Sequence, residues 1–212
     1  MSFSLAKSKM RAFETKMNKL HARHENGRFV FLDQTRYDLP GDDTDTAITV
    51  LGCTLFSHVS PQQEFAVEDC LVDFRDILRW TVDEHNAAHE ADRAWLNAQV
   101  SRIAREEPDR RMMVIFTHHC PSVDPRCTDP KYERGSEVSS AFATDLSSDE
   151  CWVSPVVKAW GFGHTHFPCY FTDSHGDRDG HGHGKVVMSN PKGYYLIPEK
   201  RFNAEMVVTV GE

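Results

Sequence analysis

Apolar residues recur along this chain with two different periods. Between residues 4 and 22, Ala6, Met10, Phe13, Met17 and Leu20 return at alternating steps of four and three, with mainly Lys, Arg and Glu between them. That is the period of one helix face, and it predicts an amphipathic helix. Asp83 to Arg105 predicts a second helix, with Leu96, Val100 and Ile103 on one face, Ala91 and Trp95 beside it, and Pro108 closing it. Short unbroken apolar runs mark buried strands instead, and they occur at Ala47 to Leu55, Arg111 to Thr117 and Val156 to Phe162. Gly52, near the end of the first run, predicts a bend or a close approach of backbone. Phe29 to Leu32 and Met206 to Val210 read as two further short strands. Cys169 to Phe171 and Val186 to Ser189 read as a hairpin around the Gly-, His- and Asp-rich turn from Asp173 to Gly184.

Residues 57 to 82 follow neither period cleanly, since Val67, Leu71, Phe74, Ile77, Leu78 and Trp80 alternate with Asp and Arg, and they read as helix or a mixed segment. Polar loops separate the elements. Asp38 to Asp45 contains Pro40-Gly41, Asn26-Gly27 marks a turn, and Asp124 to Asp149 is a long stretch rich in Ser, Asp and Pro. Loops of that length in a compact domain are usually functional or disordered, and this one is placed to wall a pocket. A short helix is expected from Glu150 to Val156. With strands and helices interspersed, no internal repeat and no second domain, residues 1–212 are expected to form one α/β domain, a mixed sheet with outer helices.

Composition narrows the partners. The chain has 212 residues, enough to bury a real core, and a formal net charge of −8, which argues against a general nucleic-acid binder. No apolar run approaches a membrane span, and the N-terminus lacks the apolar core of a signal peptide, so a soluble, cytoplasmic protein is expected. The six cysteines have irregular spacings and no C-x-x-C, which fits buried small hydrophobes better than disulfides or a thiolate zinc site. Trp80, Trp95, Trp152 and Trp160 are expected in the core or the pocket wall.

The chemistry concentrates at two strand ends. Arg111 to Thr117 runs into His118-His119, and Val156 to Phe162 runs into Gly163-His164-Thr165-His166. On an extended segment, residues i and i+2 share a face, so His164 and His166 are expected to point at one site. Ligands of open α/β sheets gather beyond the carboxyl ends of the strands, which points to one shared metal site. Cys120 beside His119 is not read as a Cys-His nucleophile, because neighbours on an extended segment face opposite ways. Gly180-His181-Gly182-His183 repeats the Gly-His-x-His spelling without a strand to feed it, and is read as a solvated hairpin tip.

These residues carry a resemblance. Val114-Ile-Phe-Thr-His118-His119-Cys-Pro, then Phe162-Gly-His164-Thr-His166-Phe, then Ser189-Asn-Pro-Lys-Gly-Tyr194 resemble, in order, the last motif blocks and closing segment of small calcineurin-like metallophosphoesterases. The resemblance covers roughly residue 28 onward. It implies part of an αββα sandwich and a metal-dependent phosphoesterase acting on a phosphomonoester or phosphodiester. By that resemblance His118 and His164 bind one divalent metal (Mn, Fe or Zn), His166 binds a second, and His119 is the outer-sphere or substrate-facing catalytic residue. Asn190 faces the pocket by the same analogy, or is simply a turn residue before Pro191.

The family's earlier ligand blocks, Asp-x-His and Gly-Asn-His-Glu, do not occur in this sequence. Gly41-Asp42-Asp43-Thr44-Asp45 spells the third, Gly-Asp-x-x-Asp, but it follows Tyr37-Asp38-Leu39-Pro40 in a polar loop rather than a buried strand, and it is not assigned. The chain thus resembles the C-terminal half of such an enzyme, as a truncated form or a decayed paralogue. Weak or no turnover is expected, with self-association through an exposed sheet edge. The alternatives are a non-catalytic binding module with a partial metal site, and a structural zinc protein.

Overall fold

The computed structural model describes residues 1–21, 27–39, 47–106, 111–132, 136–174 and 184–210. Its centre is a six-stranded mixed sheet of β1 (Thr35–Asp38), β2 (Ala47–Cys53), β3 (Arg111–Thr117), β4 (Val157–Gly161), β5 (Cys169–Asp173) and β6 (Lys185–Ser189). The strand order is β1-β2-β3-β4-β6-β5. β2, β3, β4 and β6 run parallel, while β1 and β5 flank them antiparallel. The three apolar runs of the sequence thus become neighbouring parallel strands, as unbroken hydrophobicity favours.

Helix α4 (Val82–Glu106) covers one face. Its Leu96, Val100 and Ile103 are fully buried in one cluster with Leu51, Met113, Ile115, Trp160 and Val187. Gly52 meets its expected close approach, since a Cβ there would lie 2.7 Å from the Leu32 Cβ. The mixed segment resolves into α2 (Glu64–Cys70) and α3 (Val72–Asp76), joined at an extended Leu71. It packs a second small core of Val59, Val67, Leu71, Val82 and Ala141. The long polar loop is ordered there by Gln63, whose Nε2 donates to the Ser136 carbonyl at 3.0 Å and whose Oε1 accepts from the Ser140 N–H at 2.8 Å. After it comes α5 (Glu150–Val153), shorter than expected.

Two expected strands do not form. Helix α1 (Phe3–His21) draws residues 29–33 along itself. The Phe29 N–H donates to Asn18 Oδ1 at 2.8 Å and the Phe31 N–H to Glu14 Oε1 at 2.9 Å, so helix side chains take the bonds a strand partner would take. The strand lies instead at Thr35–Asp38, on the edge of β2. Met206 to Val210 alternates as expected but joins neither edge strand, β1 or β5. The segment is tied instead at Asn203, whose N–H donates to Asn190 Oδ1 at 3.0 Å and whose carbonyl accepts from Asn190 Nδ2 at 2.7 Å. Gly41–Asp45 and Gly180–His183 lie outside the described residues.

No helix among the described residues is long and apolar enough to cross a membrane. Cys53, Cys120, Cys127 and Cys151 are buried, and burial pushes the Cys151 thiol up to about 12, which keeps it protonated.

Candidate metal centre

The ends of three parallel strands are stitched to one another. The Thr54 carbonyl, just past β2, accepts the N–H groups of both His118 and His119 at 3.1 Å. The Gly163 N–H, past β4, donates to the His118 carbonyl at 2.9 Å. These backbone bonds bring the two histidine motifs together without any help from the side chains.

His118 and His119 do not splay apart as neighbours on an extended segment would, because the chain bends there, both N–H groups turn to the Thr54 carbonyl, and the two rings lie 5.3 Å apart between centroids. His118 is exposed beside an open cleft of about 500 Å³ lined also by Phe116, Phe162, Met188 and Asn190. His119 is fully buried. Asn190 therefore does line the cleft, but its amide is spent on Asn203. The Cys120 thiol donates to the Ser122 carbonyl at 3.1 Å and makes no nucleophile with His119.

The second motif is not extended. His164 has φ 64° and His166 φ 51°, both left-handed, and Thr165 N–H closes back on the Gly163 carbonyl at 2.7 Å. Left-handed backbone costs a non-glycine residue roughly 1–3 kcal/mol and collects at functional sites. The tight turn separates the two histidines. His164 swings inward, where its ring stacks on His119 at 3.8 Å between centroids and on Phe142 at 5.0 Å. His166 stays exposed beside Tyr194, whose hydroxyl lies 3.4 Å from both of its ring nitrogens.

The group that results is His118, His119 and His164, with one possible ligand atom from each lying within 4.8 Å of the others. His166 stands outside it, near enough for its charge to lower the pKa of His118 and His164. Burial is the main cause of a lowered pKa in His119 and His164, reinforced by the neighbouring rings, and it brings His164 down to about 3; partial withdrawal from water lowers His118 too, although that residue keeps an exposed edge. All three rings are therefore neutral at pH 7, the form that binds a metal. His164 Nε2 donates to the Ala141 carbonyl at 3.2 Å, so its Nδ1 keeps a lone pair and the ring has the second contact typical of a ligating histidine.

Asp73 of α3 supplies an opposing charge that acts on His118. It favours the protonated imidazole, while burial raises its own pKa and His118 lowers it. Sequence reading missed Asp73, an acid in an aperiodic run with nothing to mark it. It is not a member of the close group, so the donor set is all imidazole among the described residues. Such a set fits one borderline divalent cation such as zinc, and has no carboxylate to bridge two.

A scan against protein-family models and a search of curated proteins return no match.

Proposed function

We propose that this chain is a hydrolase domain of the metallophosphoesterase type, part of an αββα sandwich, acting on a phosphomonoester or phosphodiester. The observation that supports this most is the approach of His118 and His164 across adjacent parallel strands, their backbones joined by the Gly163 N–H to the His118 carbonyl. In this reading those two rings hold one divalent cation, with His166 and Asp73 outside them. A cation held there supplies Lewis acidity toward a phosphoryl oxygen and a source of hydroxide near neutral pH. The cleft beside His118 is the entry for the ester.

Turnover by the chain alone is expected to be low, because neutral imidazoles do not offset a dication's charge. That same all-imidazole group favours a second reading, a non-catalytic module that binds a cation or a partner. Exposed apolar residues such as Tyr195, Leu196 and Ile197 would then serve self-association.

The test is metal content and calorimetric zinc titration, with aryl phosphate hydrolysis in manganese. One cation per chain, lost in His164→Ala, supports the first reading's site. Hydrolysis abolished by His164→Ala makes the chain an enzyme, and binding without hydrolysis selects the module. A protein that takes up no cation, with a melting temperature indifferent to chelator, ends both metal readings.

A further inference from the structure

The central strands are apolar on both faces. Leu51, Ile115, Trp160 and Val187 turn to α4 and are fully buried there. Side chains alternate along a strand, so the next residues, Phe116, Gly161 and Met188, turn to the opposite face. They stand in one row across β3, β4 and β6, since Phe116 pairs with Gly161 and Gly161 with Met188. The row lies two residues before His118 and Gly163.

Gly161 shapes this row. A Cβ there would lie 2.8 Å from the Phe116 ring and 3.4 Å from the Met188 Cε. Without one, the Phe116 ring rests across β4 and floors the cleft beside His118. Phe116 is 39% exposed, a large apolar surface left in water. The tail supplies a wall, for Met206 and Val208 line the cleft while Val207 between them points to solvent.

The lining is chemically one-sided. Phe116, Phe162, Met188, Met206 and Val208 are apolar, and none of the described lining residues is Lys, Arg, Asp or Glu. Its polar groups are already engaged. The Thr117 hydroxyl donates to the His119 carbonyl at 2.8 Å and accepts from the Trp160 indole at 3.0 Å. Asn190 is held by Asn203 at both atoms of its amide. The N–H groups of Phe162 and Gly163 donate to the Met188 and His118 carbonyls at 3.0 and 2.9 Å. His118 is the lining residue that also belongs to the metal group. A volume of about 500 Å³ is in the range of small-molecule sites. A sugar or nucleobase lodged there would leave its hydroxyls or amides without partners. An alkyl or aryl group would exchange water for contact with Phe116 and Met188.

We propose that this cleft receives the alcohol part of the ester, and that the substrate is a phosphate ester of an uncharged, apolar alcohol rather than a nucleotide or sugar phosphate. This rests on the phosphoesterase reading for the phosphate, but not for the apolar group.

Alkylphosphonates carry no ester to cleave, so they read binding apart from turnover. Calorimetry of the zinc-loaded chain with the methyl to hexyl series should show affinity rising about two- to fourfold per methylene. The heat capacity change should grow more negative along the series. A ribose phosphate should bind at least about tenfold more weakly than hexylphosphonate. Phe116→Ser and Met206→Ser should each flatten the series to less than about 1.5-fold per methylene. Phe65→Ser, at an exposed aromatic of α2, should leave the series as it is. A series that is flat in the wild type, or unchanged in both cleft variants, overturns the proposal, and the phosphoesterase reading survives because methylphosphonate still binds. No phosphonate bound at any length ends the phosphoesterase reading instead. Hexanol then decides the cleft, since its binding should be lost in Phe116→Ser, and hexanol indifferent to that change overturns the apolar assignment as well. A wild-type dimer that both cleft variants dissolve gives the cleft to a second copy of the chain and overturns the proposal.

Discussion

Two stretches of this chain run without a strand partner, and a helix fastens each one. Residues 29–33 lie along α1, where Asn18 brackets Phe29 through both its N–H and its carbonyl, at 2.8 and 2.9 Å. Residues 55–59 lie along α4, where Asn86 brackets Val59 in the same way, at 2.8 and 3.0 Å. Around that second bracket, Asp92 accepts the Leu55 N–H at 2.8 Å and His89 Nδ1 donates to the Phe56 carbonyl. The device is one, but the depth differs. Val59 is fully buried and Asp92 is 5% exposed, whereas none of residues 3–20 of α1 is buried and Phe13 is 44% exposed. Water can replace the α1 bonds when they break, and it is shut out of the buried α4 bonds at Leu55 and Phe56. Polar side chains on a helix thus serve as surface trim in one place and as an interior scaffold in the other.

Acid should separate the two regions most strongly. Burial pulls His85 of α4 down to about 4, so the unfolded chain takes up this proton first. The folded pKa lies below the unfolded one. Stability from this residue is therefore complete above pH 6.5 and lost as pH falls toward 4, by roughly 3 kcal/mol. Urea denaturation at pH 7 and pH 4.5 measures the loss, and His85→Phe should shrink it. An unchanged pH profile in that variant would place the acid sensitivity elsewhere.

Asp92→Ala comes next. It strands the buried Leu55 N–H and a Gln34 amide bond, at a cost of about 2–3 kcal/mol in the same denaturation experiment. Less than about 0.5 kcal/mol would mean that the segment after β2 is held by packing alone.

The sharpest comparison is Asn86→Ala against Asn18→Ala, since their bonds have the same geometry. About 1–2 kcal/mol is expected for the first and about 0.5 kcal/mol for the second. Equal losses would show that depth is not what distinguishes the two helices. The smallest effect is expected for Phe13→Ala, whose one aromatic contact, with Phe29 at 5.3 Å, should be worth under about 1 kcal/mol.

Much of the sheet was legible in the residue pattern. Arg111–Thr117 forms a strand with the expected bounds, and the helix expected over Asp83 to Arg105 forms with one more residue at each end. These elements are set by periodicity and by local stop signals. The site was legible in part. His118 and His164 come together because both follow apolar runs that become adjacent parallel strands. His166 was expected beside His164, but left-handed backbone at His164 and again at His166 turns the chain, and nothing in Gly-His-Thr-His announces it. The inward polar stripe of α4 was invisible for a related reason. His85, His89 and Asp92 continue the line of Leu96, Val100 and Ile103, yet hydropathy counts them as the outer face.

The order of apolar and polar residues by itself determined which segments are helix and which are central strand, and that two histidine motifs end two such strands. Local sterics and the burial of apolar surface suffice for that. Only the tertiary structure decided which polar groups go inside, because a polar side chain is buried where an unpaired backbone N–H or carbonyl waits for it. Those openings at Leu55, Phe56, Ser57 and Val59 exist only once the chain has left β2 and met α4 and the end of β3. The same physics reaches the site histidines, since the Ser57 amide, distant in sequence, donates to Nδ1 of His119.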